Sequence, residues 1–159
     1  MTVVGVLSGA VVFLADLVRH MTVPVRLGFV GVSSYPGAST EPQTPRLTSD
    51  LSEDLAGRDV LLVDDILDTG RTLAALLERI RACRPASLRT CVLLRKRRPD
   101  CPGRPEVDFC GFDVPNEFVL GYGLDYDNRY RNLPDICALA ASARPGQTQA
   151  SRAPNGGDA

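Results

Sequence analysis

The stretch Val60-Leu-Leu-Val-Asp-Asp-Ile-Leu-Asp-Thr-Gly-Arg-Thr72 decides the fold, because it leads from an apolar run through a polar turn into a helix. Residues 59–63 are almost purely aliphatic, which predicts a buried strand. Asp64 and Asp65 follow at the predicted carboxyl end of that strand, and Gly70 opens the helix. The helix has one apolar face at i, i+3, i+4 and i+7, formed by Leu73, Leu76, Leu77 and Ile80. This passage therefore predicts a strand–turn–helix unit with acidic residues at one edge of a sheet.

Outward from this unit, strands and helices alternate along the chain. We predict further strands over Val3–Leu7, Arg26–Ser33, Leu88–Leu94, Val107–Phe112 and Phe118–Gly121. A helix over Ala10–Arg19 follows the first strand, and Pro85 ends the second helix. This alternation predicts the α/β class, with a largely parallel twisted sheet flanked by helices.

Two segments are polar and show no periodicity. Residues 34–49 form a long polar loop, which we interpret as a functional lid; a disordered insertion is the alternative. Residues 142–159 consist mainly of Ala, Gly, Pro, Gln and Ser, which predicts a disordered tail. One domain over residues 1–141 is therefore expected.

Composition excludes several classes of protein. The 159 residues carry a net charge of −1, with 44 % hydrophobic and 23 % charged residues, as in an ordinary soluble globular protein. The apolar run Val3–Ala15 is too short to span a bilayer, so no membrane association is expected. The five cysteines are odd in number and lack C-x-x-C spacing, which argues against a disulfide framework or a zinc site and favours reduced thiols in the cytoplasm.

The decisive stretch has the chemistry of a site for a phosphorylated sugar. A helix start offers unpaired N–H groups and the positive end of a dipole, while Thr69 and Thr72 add hydroxyl donors. Asp64 and Asp65 can accept hydrogen bonds from vicinal hydroxyls or hold Mg²⁺. The alternative is that these two acids merely end a strand and Asp68 caps a helix. That alternative explains each acid alone but not the whole run.

These residues resemble the phosphoribosyl pyrophosphate (PRPP) motif of type I phosphoribosyltransferases, and further matches resemble the hypoxanthine-guanine branch. The resemblance runs from about Val3 to Leu139. It is carried by Leu7-Ser8-Gly9-Ala10, Ser33-Ser34-Tyr35, Leu93-Leu94-Arg95-Lys96, Gly111–Asp125 and Tyr130-Arg131-Asn132-Leu133-Pro134. The resemblance implies the type I phosphoribosyltransferase fold with a small hood.

The resemblance also implies a role for each matched residue. The PRPP site would comprise Asp64, Asp65, Ile66, Leu67, Asp68, Thr69, Gly70, Arg71 and Thr72, with Asp68 as general base. Pyrophosphate would meet Ser8, Gly9 and Arg131, and the lid would begin at Ser34 and Tyr35. The purine would meet Lys96, Phe118, Val119 and Asp125. Mg²⁺ would be held at Asp64, Asp65 and Asp125.

The chemistry of these side chains agrees with the purine site that the resemblance implies, although each residue also has a structural interpretation. Phe118 offers a stacking face, and the Lys96 ammonium would donate to a 6-oxo group but oppose the amino group of adenine. Alternatively, Phe118 and Val119 are core strand residues, and Lys96 belongs to a solvated charge run over 95–98. Ser8 departs from the family, in which lysine is common at this position. His20 is assigned no role.

The expected activity is purine salvage in the cytoplasm, in which PRPP and hypoxanthine or guanine give IMP or GMP plus pyrophosphate. The resemblance suggests a homodimer or homotetramer and leaves xanthine open as a substrate. One rival is an RNA-binding regulator on the same fold, with Arg95–Arg98 and Arg104 as its basic patch. A second rival is an inactive, truncated relic.

The start of the chain carries a further expectation. Val3–Leu7 reads as a central strand, yet only Met1 and Thr2 precede it. In the resembling family a helix and further segments come before this strand and help to form the hood. We therefore expect an upstream start codon in the gene or a truncated record.

Overall fold

A computed structural model of the protein describes residues 1–33, 46–47 and 54–139. The predicted lid residues Ser34 and Tyr35 and the predicted tail over 142–159 lie outside the described residues. Within the described part of the chain, no helix is long and apolar enough to cross a membrane.

The main sheet has six strands in the order β3-β2-β1-β4-β5-β6. These are β1 (Thr2–Leu7), β2 (Arg26–Ser33), β3 (Arg46–Leu47), β4 (Asp59–Leu67), β5 (Ser87–Lys96) and β6 (Phe109–Val114). Every neighbouring pair is parallel except β2 and β3. The helices are α1 (Val11–Arg19) and α2 (Arg71–Ala82). The predicted α/β class with a largely parallel sheet is confirmed.

Both faces of the central strands are buried, because successive side chains of a strand point to opposite sides. Val4 and Leu62 belong to a core cluster with Leu76 of α2, whereas Val3 and Val63 pack with Leu14 of α1. The four predicted apolar positions of α2 are all buried, as expected from their spacing. Helices on the two faces therefore hold β1 and β4 at the centre of the molecule.

The end of β4 was predicted too early, with consequences for the site. The strand continues to Leu67, so Asp64 and Asp65 lie inside it rather than beyond it. Pairing with β1 stops at Val63, while pairing with β5 continues to Leu67 opposite Arg95. Asp64 and Asp65 therefore lie beyond the last residue of β4 that pairs with β1, while β5 still pairs with β4 along this stretch. β5 also runs past its predicted end: Lys96 pairs with Val114 of β6 and lies in β5 rather than after it.

The predicted strand over Val107–Phe112 is shifted by two residues. Asp108 does not pair as a strand residue, because its carboxylate accepts hydrogen bonds from the backbone N–H and hydroxyl of Thr90 at 2.8 and 2.9 Å. β6 begins at the next residue, Phe109. A side chain has thus taken the place of the first backbone contacts between β5 and β6.

The last predicted strand belongs to a different sheet. β7 (Val119–Leu120) pairs antiparallel with β8 (Cys137–Ala138), which the sequence did not predict. Val119 and Leu124 pack against Leu93 and Leu94 of β5 in a third core cluster. This packing attaches the segment after β6 to the main sheet; the small hood stays a prediction.

Candidate active site

A cavity of about 720 Å³ lies at the carboxyl ends of β1 and β4. Among the described residues, most of its wall comes from three parts of the chain: the turn after β1, the end of β4 with the start of α2, and the segment around 125–131. Val32 of β2 also lines it. Among the predicted site residues it is lined by Ser8, Gly9, Asp64, Asp65, Ile66, Leu67, Asp68, Thr69, Gly70, Thr72, Asp125 and Arg131. In open α/β sheets, ligands bind beyond the carboxyl ends of the strands. The position of the cavity therefore agrees with the sequence prediction.

Asp64 and Asp65 provide negative charge at the base of the cavity. Asp64 is buried, and one of its oxygens accepts the backbone N–H of Asp65 at 3.0 Å. Burial raises the pKa of Asp64 well above its ordinary value, and the neighbouring charge of Asp65 raises it further. A bound cation or a set of hydroxyl donors would relieve this unfavourable charge. The pair is thus suited to a ligand that brings one or the other.

The turn after β1 passes directly over Asp65. A Cβ atom added to Gly9 would lie 1.9 Å from a carboxylate oxygen of Asp65, so only glycine permits this approach. The peptide bond between Leu7 and Ser8 is cis, and Ser8 is exposed beside the cavity. Backbone groups of this turn and the Asp65 carboxylate therefore face the same space.

The start of α2 has the geometry expected of an anion site. Gly70 caps the helix with φ +79°, a conformation that residues with side chains rarely adopt. Its added Cβ would lie 2.9 Å from Cδ of Pro105. Thr69 and Thr72 line the cavity beside it, whereas Arg71 is exposed and does not line it. Among the described residues, the turn 68–70 therefore presents the free N–H groups of a helix start to the cavity.

Asp125 and Arg131 line the cavity as an ion pair, with 2.9 Å between carboxylate and guanidinium. Asp125 also accepts the backbone N–H of Asn128 at 2.8 Å. Arg131 donates to the backbone oxygen of Gly123 at 2.8 Å, and Gly123 in turn lies against the backbone oxygen of Gly9. The ion pair is thereby linked to the turn after β1.

Asp68 is held by cations from the end of β5 and from the segment that follows it. One of its oxygens accepts a hydrogen bond from the Lys96 ammonium at 2.9 Å, and the other accepts one from Arg98. Arg104 donates to the backbone oxygens of Asp68 at 2.9 Å and of Lys96 at 2.8 Å. Lys96 is only 9 % exposed, so the alternative that it belongs to a solvated charge run is wrong.

The predicted purine contacts are only partly brought together. Asp125 lines the cavity, but Lys96, Phe118 and Val119 do not. Phe118 is 38 % exposed and makes an edge-to-face contact with Tyr126, with 5.5 Å between ring centroids. The purine-binding roles of these residues stay predictions.

Comparison with known proteins assigns the family. The model of the family described as phosphoribosyl transferase domain matches residues 1–127. The chain belongs to the phosphoribosyl transferase family.

Several individual members of this family are similar to the chain. It is 47 % identical over 137 residues to the hypoxanthine-guanine phosphoribosyltransferase of Mycobacterium avium, covering 86 % of this chain and 66 % of that protein. It is 43 % identical over 140 residues to the hypoxanthine phosphoribosyltransferase of Escherichia coli, covering 86 % and 76 %. The chain thus spans about two thirds of the length of the mycobacterial relative.

Solved structures show the same fold. The hypoxanthine phosphoribosyltransferase of Trypanosoma cruzi, in complex with the product IMP, superposes with a TM-score of 0.79 at 42 % identity, covering 90 % of this chain and 76 % of that one. A hypoxanthine-guanine phosphoribosyltransferase of Bacillus anthracis, with a HEPES molecule in its active site, gives 0.79 at 38 % identity, covering 87 % and 81 %. The predicted type I phosphoribosyltransferase fold is confirmed.

Sequence reasoning missed three residues around Asp68, or gave them another role. Arg98 and Arg104 were considered as a basic patch, and Asp100, which pairs with Arg98, was not singled out. Arg98 and Arg104 lie 30 and 36 positions after Asp68, so no local pattern reveals these contacts.

Proposed function

We propose that this protein transfers the 5-phosphoribosyl group of PRPP to hypoxanthine or guanine and releases pyrophosphate. One observation carries the proposal: a single cavity brings together the Ser8–Gly9 turn, the carboxylates of Asp64 and Asp65, the helix start at 68–72 and the Asp125–Arg131 pair. PRPP needs all of these chemical features, because it combines a phosphate, a dihydroxylated sugar and a charged leaving group. The product of the reaction would be IMP or GMP, as expected of purine salvage.

The residues present fit a bound Mg²⁺. Asp64 is a buried carboxylate beside a second one, that of Asp65, and carboxylates are among the hard oxygen ligands that Mg²⁺ prefers. No group of three or more potential protein ligands occurs among residues 1–33 and 54–139, but Mg²⁺ commonly takes only one or two carboxylates together with substrate oxygens. Asp64 and Asp65 would hold it, with Asp125 near a second ion. When bound, the metal would neutralise charge on the departing pyrophosphate.

The protein's own groups would bind and orient the two substrates. N–H groups at the helix start and the hydroxyls of Thr69 and Thr72 would hold the 5′-phosphate. Asp64 and Asp65 would accept hydrogen bonds from the ribose hydroxyls. The Ser8–Gly9 backbone and Arg131 would meet the pyrophosphate. The carboxylate of Asp68 would take the proton from the N7 side of the purine as the new glycosidic bond forms.

Purine selection would depend on Lys96, with Phe118 stacking on the ring and Val119 contributing backbone contacts. Lys96 approaches Asp68 directly, so a 6-oxo group that accepts a hydrogen bond from this ammonium would bring N7 towards the Asp68 carboxylate. The lid that begins at Ser34 and Tyr35 would close over the site to exclude water. A cytoplasmic location agrees with the five free cysteines. A homodimer or homotetramer is the assembly we propose, and sedimentation velocity would measure it.

A substrate panel tests the proposal. Purified protein with PRPP and Mg²⁺ should form nucleotide from hypoxanthine and guanine, with adenine at least about 100-fold poorer in kcat/KM. Xanthine is included because the site leaves it open. Activity with none of the four purines, or a preference for adenine, would contradict the assignment.

The RNA-binding alternative has less support from the structure. Most cations of its expected basic patch are engaged within the protein: Arg95 pairs with Asp113, and Lys96 and Arg98 with Asp68. A gel-shift titration with structured RNA should therefore show no saturable binding at physiological salt. Tight binding together with an inactive substrate panel would favour the regulator.

A further inference from the structure

We propose that Arg98, oriented by Asp100, is a positioning residue that holds the carboxylate of Asp68 in the direction needed for the transfer reaction. The inference rests on the proposed function, because it gives Arg98 a task only if Asp68 acts on the purine. It extends that function to two residues outside the matched motifs.

The contacts at Asp68 fix the orientation of its carboxylate but do not occupy all of its acceptor sites. Lys96 donates to Oδ2 at 2.9 Å and Arg98 donates to Oδ1, so each oxygen has one cationic donor. A carboxylate oxygen has two acceptor sites. With respect to the described residues, one lone pair on each oxygen is therefore still available to meet a substrate proton.

The free side of the carboxylate faces the cavity. Asp68 lines the cavity, whereas Lys96 and Arg98 do not. The side chain of Asp68 is 37 % exposed, against 11 % for Lys96 and 17 % for Arg98. The two cations therefore approach from the protein side, and they orient Asp68 without blocking it.

Asp100 fixes the direction in which Arg98 points. Its carboxylate accepts from Nε of Arg98 at 2.9 Å and from Nη2 at 2.7 Å, and Nη1 is left for Asp68. A two-point contact with a planar guanidinium sets the plane of the group as well as its distance. The hydrogen bonds from Arg98 lower the pKa of Asp100 to about 2, so Asp100 stays charged at neutral pH. The chain of contacts thus runs from Asp100 through Arg98 to Asp68.

The backbone around Asp68 is held by a different residue. Arg104 binds the backbone oxygens of Asp68 and Lys96, and its side chain packs against Gly70. Loss of the Arg98 side chain should therefore leave the turn in place and free only the Asp68 carboxylate. This separation makes the role of Arg98 testable without dismantling the site.

The test compares kcat and KM in variants of the full chain. Arg98→Gln should lower kcat about tenfold or more while KM for PRPP changes less than about twofold. Arg98→Lys should recover part of kcat, because an ammonium supplies the positive charge but cannot make the two-point contact of a planar guanidinium. Asp100→Asn should lower kcat by about threefold to fivefold. The kcat of the double variant Arg98→Gln/Asp100→Asn should be no lower than that of Arg98→Gln alone.

Arg95→Gln is the matched control, because Arg95 makes a similar two-point contact with Asp113 at 2.7 and 3.0 Å that does not involve Asp68. It should keep wild-type kcat and KM. The inference is overturned if wild-type protein is active but Arg98→Gln keeps its kcat, or if kcat effects of Arg98 and Asp100 variants simply multiply. Wild-type protein inactive with every purine would instead overturn the proposed function. If Arg98→Gln does not fold, Asp100→Asn and Arg98→Lys decide the matter by the same criteria.

Discussion

At the scale of single residues, Asp68 carries the chemistry that we propose. Asp68→Asn keeps the volume of the side chain, and its remaining oxygen can still accept a hydrogen bond from Lys96 or Arg98. We expect PRPP binding to be retained and kcat to fall by about 10²–10⁴-fold, the usual effect of losing a general base. Steady-state kinetics and PRPP titration by calorimetry measure the two quantities. Asp113→Asn, which changes an exposed acid elsewhere, is the control; a kcat near wild type in Asp68→Asn would reject the role.

Lys96 is the residue whose environment the sequence described least well. It sits in a run of basic residues, yet it is buried and bound to Asp68, because the β5 strand continues two residues further than predicted. Lys96→Gln would give the site an acceptor as well as a donor. We expect the ratio of kcat/KM for hypoxanthine to that for adenine to fall by about tenfold, with little change in KM for PRPP. An unchanged ratio would mean that Lys96 only supports Asp68.

At the scale of secondary-structure elements, Gly70 is the residue at which the turn after β4 leads into α2. Gly70→Ala should lower the free energy of unfolding by about 1–2 kcal/mol through its positive φ. It should also weaken PRPP binding, because the added methyl would press on Pro105 and move the turn. Gly57→Ala is the matched control, since Gly57 has φ +64° with nothing within 4 Å of the added Cβ. Urea unfolding and PRPP titration of both variants measure the two effects.

If Gly70→Ala and Gly57→Ala lose the same stability and both bind PRPP normally, the turn does not constrain the site.

Asp108 provides a test of the contact between β5 and β6 through its pH dependence. The hydrogen bond from the Thr90 backbone N–H lowers the pKa of Asp108 below its ordinary value. The Thr90 hydroxyl lowers this pKa further, and burial offsets part of the shift. A lowered folded-state pKa means that this stabilisation is present above the unfolded-state value and is lost as pH falls through the folded-state value. The stability advantage of wild type over Asp108→Asn should therefore be constant from about pH 7 to about pH 5 and shrink below about pH 4. Urea unfolding across that range measures it, and a pH-independent difference would contradict the account.

Elements with a strong local signal were predicted well. The apolar positions of α2 and the aliphatic runs of β1 and β4 lie in the core, and the burial of these residues explains why their patterns are visible in the sequence. The two-residue strand β8 has no such pattern and exists because β7 lies opposite it. Likewise, β4 reaches Leu67 only because β5 pairs with it that far. Such boundaries depend on partners distant in the chain.

At the scale of the whole molecule, the site joins parts of the chain that are far apart in the sequence. The motif at 60–72 could be placed at the site from the sequence because it is long and specific, whereas Asp125 and Arg131 were predicted from the resemblance and line the same cavity. Their meeting around the turn at Gly9 follows from the strand order, in which β1 lies beside β4. The environment of Asp68 could not be predicted, since Arg98 and Arg104 reach it from a loop without a local pattern.

Because ligands that bind only the folded state stabilise it, substrate binding should be visible in thermal unfolding. PRPP with Mg²⁺ at about 100 times its Kd should add about 2.7 kcal/mol to the free energy of unfolding. We expect a clear rise in Tm with both present and a smaller one with either alone. Asp64→Asn should abolish the joint effect, whereas Asp113→Asn should keep it. Equal shifts in wild type and Asp64→Asn would place PRPP somewhere other than this cavity.

The central claim, transfer of phosphoribosyl from PRPP to a 6-oxopurine, is tested most directly by following the reaction with ³¹P NMR. Wild-type protein with PRPP, Mg²⁺ and hypoxanthine should convert the PRPP signals into equal amounts of pyrophosphate and a nucleotide 5′-phosphate. Without hypoxanthine, PRPP should persist, and Asp68→Asn should slow the conversion strongly. PRPP that stays intact with wild-type protein and every 6-oxopurine, or that is consumed at the same rate without a purine, would contradict the account.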